Sequence, residues 1–95
     1  ANNHQFRLKL LYIADGKNEP VDIVVLNYTL PKLSMNSLTI NVSGVEKQRN
    51  IRFSMDVSYH FFKKKWIISG IFMGKEINKE FNNILEIIKI FKEVL

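Results

Sequence analysis

Residues 51–61 alternate between apolar and polar side chains without a break, and this pattern constrains the fold more than any other in the chain. The apolar positions are Ile51, Phe53, Met55, Val57, Tyr59 and Phe61. A period of two over this length is typical of a β-strand with one buried face and one solvated face. We therefore expect the middle of the chain to form a sheet that covers a core on one side.

Four other segments have the composition of strands, while the C-terminal segment shows a different period. The predicted strands span residues 5–14, 21–30, 37–43, 50–62 and 66–72. From residue 75 the apolar side chains recur every three or four positions, which is typical of an amphipathic helix. This stripe comprises Ile77, Phe81, Ile84, Ile88, Phe91 and Leu95. The expected fold class is α+β: an antiparallel sheet of about five strands in a meander, followed by one C-terminal helix, residues 75–94, packed on one face.

The last two predicted strands are joined by a short hairpin. We expect Phe61 to lie opposite Trp66 and Tyr59 to lie opposite Ile68, with all four on the core face. This register depends on the length of the hairpin loop, because a shift of one residue reverses the face of every side chain.

The composition is that of one domain spanning residues 1–95. Hydrophobic residues make up 46% of the chain, which suffices for a core and argues against disorder. The absence of cysteine excludes disulfides, thiolate nucleophiles and Cys-ligated metal sites. No apolar run approaches the roughly 20 residues needed to span a bilayer. The chain starts at Ala1 rather than Met, as after removal of an export signal or trimming, and a membrane anchor upstream is compatible with this start.

The predicted strands 21–30 and 66–72 are apolar on both faces. One helix covers only one face of a sheet, so the remaining apolar surface needs a second cover. Two explanations remain open: the sheet curls and buries both faces, or another protein chain or a second copy covers the rest. In the second case a free strand edge adds backbone pairing. The partner-binding residues expected in that case are Leu26, Tyr28, Ile67 and Ile71.

No group of residues matches a catalytic or metal-binding motif. His4 lies in the N-terminal segment and His60 in a predicted strand, and two histidines without cysteine do not favour a dedicated metal site. The nine carboxylates show no paired spacing, and the four glycines are isolated rather than arranged in a phosphate-binding loop. The sequence therefore predicts neither an enzyme nor a cofactor.

Aromatic side chains and lysines are interleaved in residues 59–66. Such a segment can stack bases and neutralise phosphates, or it can anchor a loop at a membrane surface. The favoured interpretation is structural: Tyr59 and Phe61 belong to the inward face of a strand, and Lys63, Lys64 and Lys65 keep a hairpin tip soluble. The net charge of +5 aids solubility and favours anionic partners without identifying one.

Two neighbouring strand segments carry a resemblance to a known family. They are the run Leu38–Gly44 and the run Phe53–Tyr59, separated by a basic turn with Arg49 and Arg52. Residues 22–85 resemble the FidL-like and PsaF/MyfF-type proteins of enterobacteria, which are small exported or membrane-anchored proteins. The resemblance implies a periplasmic accessory role, in which the chain binds and stabilises the sensory domain of a membrane-bound transcription regulator.

The function expected from the sequence is thus that of a non-enzymatic, protein-binding accessory factor outside the cytoplasm. Two alternatives remain open. One is a small inhibitor or immunity-type protein, which would also act by surface complementarity. The other is a nucleic-acid-binding module that uses the hairpin from Lys63 to Lys65, and salt-dependent retention of DNA or RNA would distinguish it from the first two.

Overall fold

The computed structural model describes residues 6–89 and 91–93, which form one antiparallel sheet of eight strands. The strands are β1 (Phe6–Ala14), β2 (Lys17–Tyr28), β3 (Lys32–Leu33), β4 (Ser37–Glu46), β5 (Ile51–His60), β6 (Lys65–Phe72), β7 (Lys75–Phe81) and β8 (Phe91–Glu93). A short 3-10 segment, Ile84–Lys89, connects β7 to β8. No helix in the described residues is long and apolar enough to cross a membrane.

The strands follow one another across the sheet in the order β7-β6-β5-β4-β2-β1-β8, with the short β3 paired to β4. Strands adjacent in the chain are thus mostly adjacent in the sheet, as a meander requires. At one end of the strands, the hairpin end, lie the turns that join β1 to β2, β4 to β5 and β6 to β7. At the other end, the loop end, lie residues 29–36 and residues 61–64.

The predicted C-terminal helix is wrong, and with it the α+β class. Residues 75–81 form a strand, because Met73 and Gly74 adopt φ angles of 55° and 76° and close a two-residue hairpin with β6. Positive φ at both central residues defines the turn that matches the twist of a β-hairpin. Ile77 and Phe81 are four residues apart, and this spacing suits one face of a strand as well as one face of a helix. Ile90 and Val94 of the predicted helix, and Leu95 of its apolar stripe, lie outside the described residues.

The predicted register of the β5–β6 hairpin is also wrong. Tyr59 pairs with Trp66, and His60 pairs with Lys65, so the loop comprises residues 61–64. The shift is an even number of positions, so Tyr59 and Trp66 still share a face, and their rings lie 5.1 Å apart. Phe61 falls in the loop, with its ring 6.0 Å from that of Tyr59.

The core lies on the concave face of the curled sheet, which we call the inner face. Buried there are Val21, Ile23, Val25, Phe53, Met55, Ile68, Phe72, Ile77 and Phe81. The rings of Tyr12 and Phe72 are 4.9 Å apart although their strands are far apart in the sheet order, and Phe91 lies 5.4 Å from Phe72. These contacts join β1, β6 and β8 across the interior, so the curl buries the central part of the inner face without a helix.

A bulge in β2 brings two backbones unusually close together. The register between β2 and β4 shifts between Val25 and Asn27, leaving Leu26 as the extra residue. Gly44 of β4 pairs with Val25, and a Cβ at this glycine would overlap the carbonyl oxygen of Val24. Glycine is required at position 44 because no side chain fits between the two strands.

Candidate protein-binding site

The four predicted contact residues fall on different parts of the sheet. Ile67 and Ile71 lie on the outer, convex face of β6, where Ile71 is 51% exposed. Leu26 is exposed at the bulge of β2. Tyr28 pairs with Val42, and the side chain of Val42 packs against the core. Because paired residues share a face, Tyr28 lies on the inner face, at the loop end. The structure brings Ile67 and Ile71 together on one strand but does not join them to the other two.

A polar strip separates Leu26 from the two isoleucines on the outer face. Thr39 and Ser58 share a hydrogen bond of 2.9 Å between their hydroxyls, and the side-chain amide of Asn41 donates to Asp56 at 2.9 Å. These pairs occupy β4 and β5, the strands that lie between β2 and β6. Paired polar side chains are suited to a face in contact with water. The polar strip therefore separates the apolar side chains on the β6 side of the outer face from those on the β1 and β2 side.

Beside Ile67 and Ile71 the sheet ends at β7. Within the described residues, β7 pairs with β6 only. Its outer face carries Glu76 opposite Ile71 and Glu80 opposite Ile67, so a row of carboxylates runs along the edge next to the two isoleucines. On its inner face Ile77 and Phe81 are buried. A strand edge of this kind presents backbone N–H and C=O groups on which an extended segment can pair.

A cleft of about 910 Å³ opens between β7 and the hairpin that joins β1 to β2. The lining side chains are mixed in charge and include Asp15, Lys17 and Glu76. Lys75 Nζ lies 3.6 Å from a carboxylate oxygen of Asp15, an ion pair that spans the cleft and is well exposed at both ends. Exposed ion pairs of this length add little to stability, so this contact does not hold the cleft shut.

Tyr12 is one of two aromatic residues, with Phe81, that line the cleft. Its ring packs on Phe72 and Phe91. Burial raises the pKa of Tyr12 above its ordinary value, with smaller contributions from the charges of Asp15 and Glu19. The phenol therefore stays protonated at neutral pH, and its role in this position is to close the core beneath the cleft.

The buried carboxylate of Glu46 organises the turn between β4 and β5. Glu46 is 1% exposed and accepts hydrogen bonds from the backbone N–H groups of Asp22, Gln48 and Arg49 at 2.9, 3.0 and 2.8 Å. Burial alone would raise the pKa of Glu46, but these hydrogen bonds, with one from the Arg49 guanidinium, together hold the pKa below its ordinary value. This carboxylate is a structural element rather than a proton donor.

A second paired carboxylate lies on the outer face of β2. Arg7 donates to both oxygens of Asp22, from Nε at 2.9 Å and from Nη2 at 2.6 Å. This bidentate pair lowers the pKa of Asp22, chiefly through the hydrogen bonds from the guanidinium. The lowered pKa values of Asp22 and Glu46 are thus explained by contacts that connect separate parts of the chain. Among the described residues, no group of three or more His, Asp or Glu side chains is arranged to hold a metal ion.

The β7 edge was not anticipated from the sequence, because residues 75–81 were assigned to the helix. The dipeptide Met73-Gly74 is the local signal for the strand, since Gly supplies the positive φ of a hairpin turn. Comparison of the chain with protein-family models, with curated proteins and with solved structures finds no match.

Proposed function

We propose that this chain is a non-enzymatic accessory domain that binds another protein by accepting one of its strands at the β7 edge. The observation that carries the proposal is the combination at that edge of open backbone pairing with the exposed apolar side chain of Ile71. Strand addition supplies affinity through main-chain hydrogen bonds, and neighbouring side chains supply specificity.

The charges of β7 favour a different protein over a second copy of this chain. Two copies paired antiparallel about Asn78 would set Glu76 of one opposite Glu80 of the other. A register centred on Ile77 would set Lys75 opposite Lys79. Like charges directly opposite each other destabilise a strand pair. A partner strand with Lys or Arg on its outer face would instead complement the two carboxylates.

The partner implied by the resemblance to the FidL-like and PsaF/MyfF-type proteins is the sensory domain of a membrane-bound transcription regulator, and the compartment is the periplasm. In that setting the chain stabilises the regulator by completing a shared sheet. Its absence of recognisable catalytic motifs agrees with a role in binding.

The proposal is tested by mixing the chain with the purified extracytoplasmic domain of a membrane-bound transcription regulator. Calorimetry measures the affinity, and hydrogen exchange measures protection of the amides of residues 75–81. We expect these amides to exchange more slowly in the complex. We also expect Ile71→Asp to weaken binding by about tenfold or more, equivalent to about 1.4 kcal/mol.

The matched control is Leu85→Asp, which places the same charge on another exposed apolar residue outside the sheet. This variant should bind as the unmodified chain does. Unchanged exchange in β7 on formation of a complex would contradict strand addition, and equal losses in both variants would contradict the assignment of the site to the β6–β7 side.

A further inference from the structure

The loop end of the sheet carries two segments that lie side by side. They are residues 29–36, which include β3, and residues 61–64 of the β5–β6 hairpin. The backbone N–H of Phe61 donates to the carbonyl of Asn36 at 2.9 Å and ties the two segments together. They therefore form one surface, although 24 residues of β4 and β5 and their turn separate them in the chain.

This surface exposes large apolar side chains to an extent seen nowhere else among the described residues except at Leu85. The exposed fractions are 83% for Leu30, 74% for Leu33, 90% for Met35 and 80% for Phe62. A soluble domain seldom groups such side chains at one end without a partner that covers them. Three of the four are aliphatic, and aliphatic side chains do not provide the flat rings on which nucleic-acid bases stack.

The charged side chains of these two segments have a single sign. Lys32, Lys63, Lys64 and Lys65 belong to these segments or border them, and none of the nine carboxylates of the sequence lies in residues 29–36 or 61–65. At the hairpin end, by contrast, Asp15, Glu19 and Glu76 line the cleft. The two loop segments are thus basic and apolar, whereas the cleft at the hairpin end has mixed charge.

The backbone that presents these side chains is held by hydrogen bonds. The hydroxyl of Ser34 accepts from the backbone N–H groups of Asn36 and Ser37 at 3.2 and 3.1 Å, and the N–H of Ser34 donates to the carbonyl of Ser37 at 2.8 Å. This turn fixes Met35 at its tip. Binding at a preorganised surface does not need to order the loops first, which removes an entropic penalty.

We propose that the loop end docks on the surface of an anionic lipid bilayer. Leu30, Leu33, Met35 and Phe62 enter the headgroup boundary, and the lysines contact lipid phosphates. Apolar insertion and electrostatic attraction to anionic lipid are the two contributions that hold peripheral proteins at membranes. The inference rests on a different surface from the β7 edge and does not depend on the proposed function.

The test is co-sedimentation of the whole chain with vesicles of phosphatidylcholine alone and of phosphatidylcholine with phosphatidylglycerol. We expect binding to the anionic vesicles only, with an affinity that falls as salt is raised. Trp66, the only tryptophan, lies next to the lysines and reports depth, because lipids brominated near the headgroup should quench its fluorescence.

Two double variants separate the contributions. Leu33→Ser with Phe62→Ser should reduce binding at least tenfold while leaving the thermal midpoint unchanged, because both side chains are exposed. Lys63→Glu with Lys64→Glu should abolish the preference for anionic lipid. The control Lys17→Glu makes the same change of charge away from the loop end and should bind vesicles like the unmodified chain.

Equal binding to neutral and anionic vesicles would overturn the proposal. Full binding by the Leu33 and Phe62 double variant would also overturn it, because it would show that the chain binds by electrostatic attraction alone. Binding to a single-stranded oligonucleotide in preference to anionic vesicles at equal phosphate would assign the lysines to nucleic acid instead and would also overturn it.

Discussion

The backbone N–H of Asp22 donates to the Glu46 carboxylate at 2.9 Å, and this bond fastens β2 to the turn that follows β4. The Arg49 guanidinium contacts the other carboxylate oxygen at 3.2 Å. One side chain therefore satisfies donors from two separated parts of the chain. Buried donors left without an acceptor are costly, so the architecture at this corner of the sheet depends on Glu46.

Glu46→Ala should destabilise the fold by about 3 kcal/mol or more, because it leaves several backbone N–H groups without their acceptor. Glu76→Ala is the matched control, since Glu76 is an exposed carboxylate on the edge strand, and it should change the free energy of unfolding by less than about 0.5 kcal/mol. Urea denaturation measures both. Similar midpoints for the two variants would contradict the structural role of Glu46.

Stability should fall in acid because of Glu46 and Asp22. Both carboxyls have a pKa below the ordinary value in the folded state, so the unfolded chain binds more protons as the pH falls. Their stabilisation is complete above the ordinary values of about 4.3 for Glu and 3.9 for Asp, and it is lost as the pH drops through the lower folded values. Thermal midpoints between pH 7 and pH 2 check this. The variant Glu46→Gln should show a smaller loss in acid than the unmodified chain.

Gly44→Ala should be severely destabilising, by about 3 kcal/mol or more, because its Cβ would overlap the Val24 carbonyl at the bulge. Gly16→Ala is the comparison: its φ of +73° strains an alanine, but no other atom lies within 4 Å of the added Cβ. We expect this variant to lose only about 1–2 kcal/mol. Denaturant midpoints that rank the two in the opposite order would mean that β2 and β4 separate easily at this point.

Phe81→Ala should destabilise the fold by roughly 3–5 kcal/mol, because Phe81 is 5% exposed on the inner face of β7. Leu85→Ala removes an apolar side chain that is 76% exposed in the segment after β7 and should have an effect of less than about 0.5 kcal/mol. Chemical denaturation of both variants provides the measurement. A loss below about 1 kcal/mol for Phe81 would mean that β7 is not part of the core.

The sequence predicted the strands in the middle of the chain more successfully than it predicted the secondary structure of the C-terminal segment. In residues 51–61 the alternation is strict, and Phe53 and Met55 are buried as that pattern requires. In residues 75–81 the two apolar residues Ile77 and Phe81 are separated by four positions, which does not distinguish a strand from a helix. The apolar residues that follow completed a helical stripe, although the chain turns after Phe81 instead of continuing.

The candidate sites were harder to predict than the strands. An edge strand is defined by the absence of a neighbour, and the sequence of β7 does not contain that information. Lys63, Lys64 and Lys65 were recognised as a cluster, but their proximity to Leu33 and Met35 depends on how β4 and β5 place two distant loops together. Such contacts arise from tertiary structure, and no local periodicity records them.

The pairing of Tyr12 with Phe91 also has a kinetic consequence. Strand β1 pairs with β8 only after nearly all of the described chain has been synthesised. Two strands so far apart in the sequence pair slowly, because the chain between them must be ordered first. During synthesis the strands from β1 to β7 therefore form while the aromatic side chains that Phe91 contacts are open to solvent. Pairing of β8 with β1 covers these side chains with Phe91. A nascent chain arrested before residue 91 should therefore be the species most exposed to chaperones and proteases.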